Sequence, residues 1–147
     1  MRKVAFKDVH ELEEYVAALV CVANADNDFS AEERRFIEGL VVVYSTLFPN
    51  AKADEIMSKA NGRQIDDIGA IFKGEPVKSR MLIRDLIVLG HADGKYTEDE
   101  RRVIRELADS LNIPQAEFEE LQSAVVSQAE AEFVIDRIID KAGAMED

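Results

Sequence analysis

The chain is expected to fold as a single compact all-α domain over residues 1–147, and three observations carry that expectation. Apolar residues recur at the three-to-four spacing of an amphipathic helix along most of the length. No stretch shows the period-two alternation, bounded by turn residues, that a half-buried strand needs. The third observation is an internal repeat. His91-Ala-Asp-Gly-Lys-Tyr-Thr-Glu-Asp-Glu-Arg-Arg-Val-Ile-Arg-Glu-Leu107 lies on Asn24-Ala-Asp-Asn-Asp-Phe-Ser-Ala-Glu-Glu-Arg-Arg-Phe-Ile-Glu-Gly-Leu40. Ala25, Asp26, Glu33, Arg34, Arg35, Ile37 and Leu40 are matched by Ala92, Asp93, Glu100, Arg101, Arg102, Ile104 and Leu107. A helix–loop–helix cannot bury its own stripes, so the two copies must pack together as pseudo-symmetric halves. Repeat one covers about 10–60 and repeat two about 77–125, with about seven or eight helices in all.

The first helix starts at Asp8, where Asp8 and Glu11 form a capping pair, and carries Tyr15, Val16, Leu19, Val20 and Ala23 as its apolar stripe. The second opens at Ser30, carries Phe36, Ile37, Leu40, Val41, Tyr44 and Leu47, and ends before Pro49. A short helix from about Ala53 to Ala60 is stopped by Asn61-Gly62. Ile65, Ile68, Ile71 and Phe72 predict another short helix, closed by Gly74 and Pro76. In the second half, Leu82, Ile83, Leu86, Ile87 and Gly90 repeat the register of 15, 16, 19, 20 and 23. Val103, Ile104, Leu107, Ala108 and Leu111 likewise repeat 36, 37, 40, 41 and 44. Pro114-Gln-Ala116, with Leu121 and Ser123, echoes Pro49-Asn-Ala51 with Ile56 and Ser58. A separate last helix over about 129–142, with Phe133, Val134, Ile138 and Ile139, has no counterpart. The tail from Gly143 is expected to fray.

Composition narrows the function. A net charge of -12 repels phosphate backbones and anionic lipid, so nucleic acid is excluded as a partner, and cations or basic protein surfaces are favoured. The run 16–25 after the basic start imitates a signal peptide, but Asp8, Glu11, Glu13 and Glu14 acidify the region that should be positive. Its counterpart Leu82–Ala92 lies inside the chain, so a core helix is expected. No apolar stretch reaches the length of a membrane span, and a cytoplasmic protein is expected. The lone Cys21 sits in an apolar run and reads as a buried, inert thiol.

The repeated bends admit two readings. In the structural one, Ser30-x-x-Glu33 and Thr97-x-x-Glu100 are capping boxes, and Asn27 or Gly94 takes the left-handed turn position. In the functional one, the acids of the two bends converge on a divalent cation such as calcium, magnesium, manganese or zinc. The candidate ligands are Asp26, Asp28, Glu33, Asp93 and Glu100, in bends that also hold Glu32, Glu98 and Asp99. A standard EF-hand is rejected, because the positions two and four before each Asp are His91 and Leu89, or Asn24 and Val22. His91 reads as a helix-end histidine within reach of Asp93. Lys78, Arg80 and Arg84 form a basic patch and a candidate partner surface. Arg34-Arg35 and Arg101-Arg102 read as ordinary ion pairing on wet faces. No nucleophile with a recognisable base and no glycine-rich phosphate loop is present, so no catalytic residue and no organic cofactor is assigned.

The stretch "ADGKYTEDERRVIRELADSLNIPQAEFEEL", with its degenerate earlier copy, resembles the TerB-like domain of tellurite-resistance and DjlA-type co-chaperone proteins, over roughly residues 10 to 125. The resemblance implies an all-helical fold with two pseudo-symmetric halves. It also implies a role in bacterial stress responses through protein partners, with Asp26, Glu33, Asp93 and Glu100 as the residues that would hold metal. This chain departs from the pattern in its first copy, where Asn27 replaces the turn glycine and Phe36 a smaller aliphatic residue. The expected function is therefore a non-enzymatic interaction module that docks proteins, membrane-associated ones included, and senses divalent cations. A dedicated cation-binding protein is the alternative, and a metal-dependent hydrolase the third.

Overall fold

Two helices of the chain are apolar almost all the way round, and this decides the layout. The computed structural model describes residues 5–25, 29–68, 70–92 and 94–145. In order they form α1 (Val9–Ala23), α2 (Ala31–Ser45), α3 (Ala53–Ala60), two single 3-10 turns (Ile65–Asp67 and Ala70–Phe72), α4 (Pro76–Gly90), α5 (Glu98–Ser110) and α6 (Gln115–Ala144). Among the described residues every regular element is helical. Helix α1 buries Leu12, every residue from Tyr15 to Val20, and Val22 and Ala23. Helix α4 buries Met81, Leu82, Ile83, Leu86, Ile87, Leu89 and Gly90. These two pack on each other at the centre, and the amphipathic helices close around them.

The packing respects the repeat. Helix α1 lies against α2 and α3, and α4 lies against α5 and α6. Across the middle, α1 meets α5 while α4 meets α2. Exchanging α1, α2 and α3 for α4, α5 and α6 therefore returns the same set of contacts. Local signals set the ends. Asp8 accepts from the Glu11 amide at 2.9 Å to start α1, and Pro76 occupies the first turn of α4. Gly62, Gly74 and Gly94 take left-handed φ values, the last of them at the turn position expected of it.

The two halves are also tied by buried polar contacts. The Tyr15 hydroxyl donates to Asp85, which the Arg84 guanidinium holds from the other side at 3.0 Å. Burial, and then the neighbouring carboxylate, push the Tyr15 phenol well up. Phe6 stands edge-on to both Tyr15 and Tyr44, and Tyr15 edge-on to Phe72, which seals one end of the core.

Three expectations are revised. Among the described residues there are six α-helices rather than seven or eight, because Ile65–Phe72 makes two 3-10 turns and the last two expected helices are one. The expected break before a separate last helix is absent: α6 runs unbroken for 30 residues, since nothing between Gln115 and Asp140 is a glycine or proline. Finally, Leu47, named with the apolar residues of the second helix, lies beyond its end and is exposed, as are Phe133, Val134, Ile138 and Ile139 of the expected last helix.

Candidate functional site

The residues where the halves meet head-on are the two capping glutamates. Helix α2 begins with Ser30, whose hydroxyl accepts from the Glu33 amide at 3.1 Å while Glu33 Oε1 accepts from the Ser30 amide at 3.1 Å. Helix α5 begins the same way, with Thr97 Oγ accepting from Glu100 at 3.1 Å and Glu100 Oε1 accepting from the Thr97 amide at 3.0 Å. Thr97 Oγ1 adds a bond of its own to Glu100 Oε1 at 3.0 Å. Both boxes are complete, so the structural reading of the repeated motif holds in each half.

That reading does not exhaust them. Capping glutamates normally stand at a wet helix end, yet Glu33 and Glu100 are each only 2% exposed. Each is pulled inward until its carboxyl faces the other. The Glu33 carboxyl is pushed up to about 7, first by burial and then by Glu100 as a hydrogen-bond partner and a like charge. The Ser30 amide and hydroxyl oppose that shift without cancelling it. Glu33 Oε2 is buried and has no donor among the described residues. Burial and the facing Glu100 carboxyl thus favour the protonated form of Glu33.

Of the five candidate ligands, Glu33 and Glu100 are thus brought together. Asp26, Asp28 and Asp93 lie outside the described residues. Among the described residues no three acidic, histidine or cysteine side chains gather as a metal cluster. Val22 and Leu89, the positions an EF-hand would need for ligands, are fully buried helix residues. His91 caps α4 and packs against Tyr96, with ring centroids 4.5 Å apart and the planes tilted by 45°. Its Nε2 is buried without a hydrogen-bond partner among the described residues, and burial lowers its pKa. Cys21 is half-buried rather than buried, with its thiol pushed up by burial.

The basic patch is occupied internally. Lys78 reaches Glu11 at 2.6 Å, Arg80 reaches Glu117 at 2.7 Å, and Arg84 pairs with Asp85 at 3.0 Å. Lys78 and Arg84 are largely covered in doing so. The first two pairs fasten α4 to α1 and α6, the third lies within α4, and the positive charge is met by the chain's own acids. Glu11 and Glu14 enter the sequence reading only as a cap partner and as acidic charge, yet both are buried, on the stripe that leads to Tyr15 and Ala18. A carboxylate at a core-facing position is the signal that a cation must come from elsewhere, here Lys78 and Arg63.

A second feature was not legible in the sequence. A groove of about 630 Å³ opens between α1, α2 and α3, with Val20, Val41 and Met57 on its floor and Arg34 and Asp54 at its rim. Arg34 lies over the Phe29 ring at 5.0 Å.

Comparisons with curated proteins and with solved structures gave no match. A family model described as tellurite resistance protein TerB matches residues 12–123, a span that runs from α1 into α6 and includes both capping boxes and the Glu33–Glu100 contact. With most of its length matched in this way, the chain belongs to the TerB family of tellurite resistance proteins.

Proposed function

We propose that this protein is a non-enzymatic interaction module of a bacterial stress-response system, acting in the cytoplasm, whose Glu33–Glu100 contact takes up a divalent cation. Filling that contact sets how firmly the halves are joined, and so what surface a protein partner meets. The observation that supports the reading is the orphaned Glu33 Oε2, buried opposite a second carboxyl. An oxygen in that position gains most from a hard cation or a proton. Two carboxylates fall short of the six to eight oxygens that calcium prefers. Asp26, Asp28 and Asp93, in the same two bends of the sequence, are the residues that would complete the set. Among the described residues no helix is long and apolar enough to cross a membrane, in keeping with partners met from the aqueous side.

Titration calorimetry with calcium, magnesium, manganese and zinc chloride tests the reading, on the natural protein and on the Glu33→Gln/Glu100→Gln variant. Glutamine keeps the capping box, since its side-chain carbonyl still accepts from the N-cap amide. At least one cation should bind the natural protein, and the variant should lose that binding without melting earlier. Absence of heat with all four ions, or equal affinity in the variant, sinks the cation site.

A further inference from the structure

Helix α6 changes face part of the way along. Its first turns pack Phe118, Leu121 and Val125 onto the body, and Phe133 continues that side toward Val88 and His91. Every residue from 127 to 145 is nevertheless exposed, leaving a rod of nearly 30 Å that its own domain does not cover. A lone helix of that length is marginal in water. Along the rod runs a second apolar stripe of Ala131, Ile135, Ile138, Ala142 and Met145, widened by Val134 and Ile139. At 3.6 residues per turn it sits about 130° round from the stripe that holds Phe118 and Val125. It therefore faces away from the body. Its steps of four, three, four and three residues are those of a heptad seam. Ile135, Ile138, Ile139 and Met145 are all more than half exposed.

We infer that this stripe is the seam of a homodimer, covered by the same stripe of a second copy. The heptad register matches one helix to another helix of the same kind, with Ile135 and Ile138 as knobs between the small Ala131 and Ala142. The area fits a reversible pairing: Val134, Ile135, Ile138, Ile139 and Met145 are 42–80% exposed, so two copies would bury at most on the order of 1,200 Å², the size of a weak, transient interface. The charges speak against a lipid surface. Glu130, Glu132, Asp136 and Asp140 outnumber Arg137 and Lys141 on the rod, and an anionic bilayer would repel it. Two heptads make a short seam, so the dimer forms and dissociates within the micromolar range.

Sedimentation velocity over a hundredfold range of concentration tests the inference. The natural protein should pass from monomer to dimer on concentration. Ile138→Asp should weaken association roughly a hundredfold, because a carboxylate would be buried in the seam. Asp140→Asn, on the opposite face, should leave it unchanged. The melting temperature of the helical body of Ile138→Asp, at a dilution where both proteins are monomers, separates lost pairing from lost folding, and it should equal that of the natural protein. A natural protein that stays monomeric throughout overturns the inference. So does one that pairs as tightly with Asp at 138, or a monomer that instead sediments with phosphatidylglycerol–phosphatidylcholine vesicles.

Discussion

The first half of the molecule stops its third helix after eight residues, at Asn61-Gly62, while the second half runs its own for thirty. Around that difference the same positions do different work. In the second half the Tyr96 hydroxyl donates to Gln122 at 3.0 Å and Arg101 reaches Glu119 at 3.2 Å, so α5 is laced to α6. The corresponding residues of the first half are Phe29, Met57, Arg34 and Asp54, and they border an open groove. Phenylalanine has no hydroxyl to give and methionine no amide to receive it. The two hairpins and their capping boxes are alike, because they hold the core. The third helices diverged, leaving one half open and the other extended.

The two halves differ most in tolerance where their first helices end. A Cβ at Gly90 would stand 2.6 Å from the Tyr96 ring, which its bond to Gln122 keeps from moving aside. The first half carries Ala23 at the matching place. Gly90→Ala should therefore destabilise by ~2–3 kcal/mol in urea unfolding, even though alanine is the better helix former. Ala23→Gly should cost only ~1 kcal/mol. Equal effects would mean that the ring of Tyr96 does not constrain its half.

Next comes the contact the halves share. The Glu33 carboxyl is raised from the ordinary carboxyl range to about 7, so the folded state holds its proton more tightly than the unfolded chain does. Its contribution is fully present below about pH 4.5 and is lost as pH rises through about 7. Without added cation, Glu33→Gln should flatten that decline and raise stability at pH 8 by ~1–2 kcal/mol, a melting shift of several degrees. A pH profile that the substitution leaves unchanged would mean the two carboxyls do not interact.

Tyr96→Phe gives the second half the aromatic residue of the first and removes one part-buried hydrogen bond. It should cost ~0.5–1 kcal/mol, with α6 exchanging its amide protons faster near Gln122.

Much of the fold is legible in the chain because its determinants are local. The spacing of Tyr15, Val16, Leu19 and Val20 sets a helix, Ser30 and Thr97 set where the next ones begin, and Asn61-Gly62 sets where one stops. The short segment Ile65–Phe72 was less legible, since its apolar residues at three-residue spacing suit a helix and a pair of 3-10 turns equally well. For the site, periodicity singled out Glu33 and Glu100, and capping chemistry accounted for them fully. Nothing local distinguishes a capping glutamate in water from one that is 2% exposed.

By itself, then, the sequence determined that a hairpin occurs twice, that each copy opens its second helix with a capping box, and that the ensemble is helical. The crossing of whole helices set Glu33 against Glu100 across 67 positions, paired Lys78 and Arg84 with Glu11 and Asp85, and left the second stripe of the outer half of α6 exposed. The physical reason is one of range. Helix spacing and caps act over three or four residues, whereas the meeting of two side chains from different helices depends on how whole helices cross.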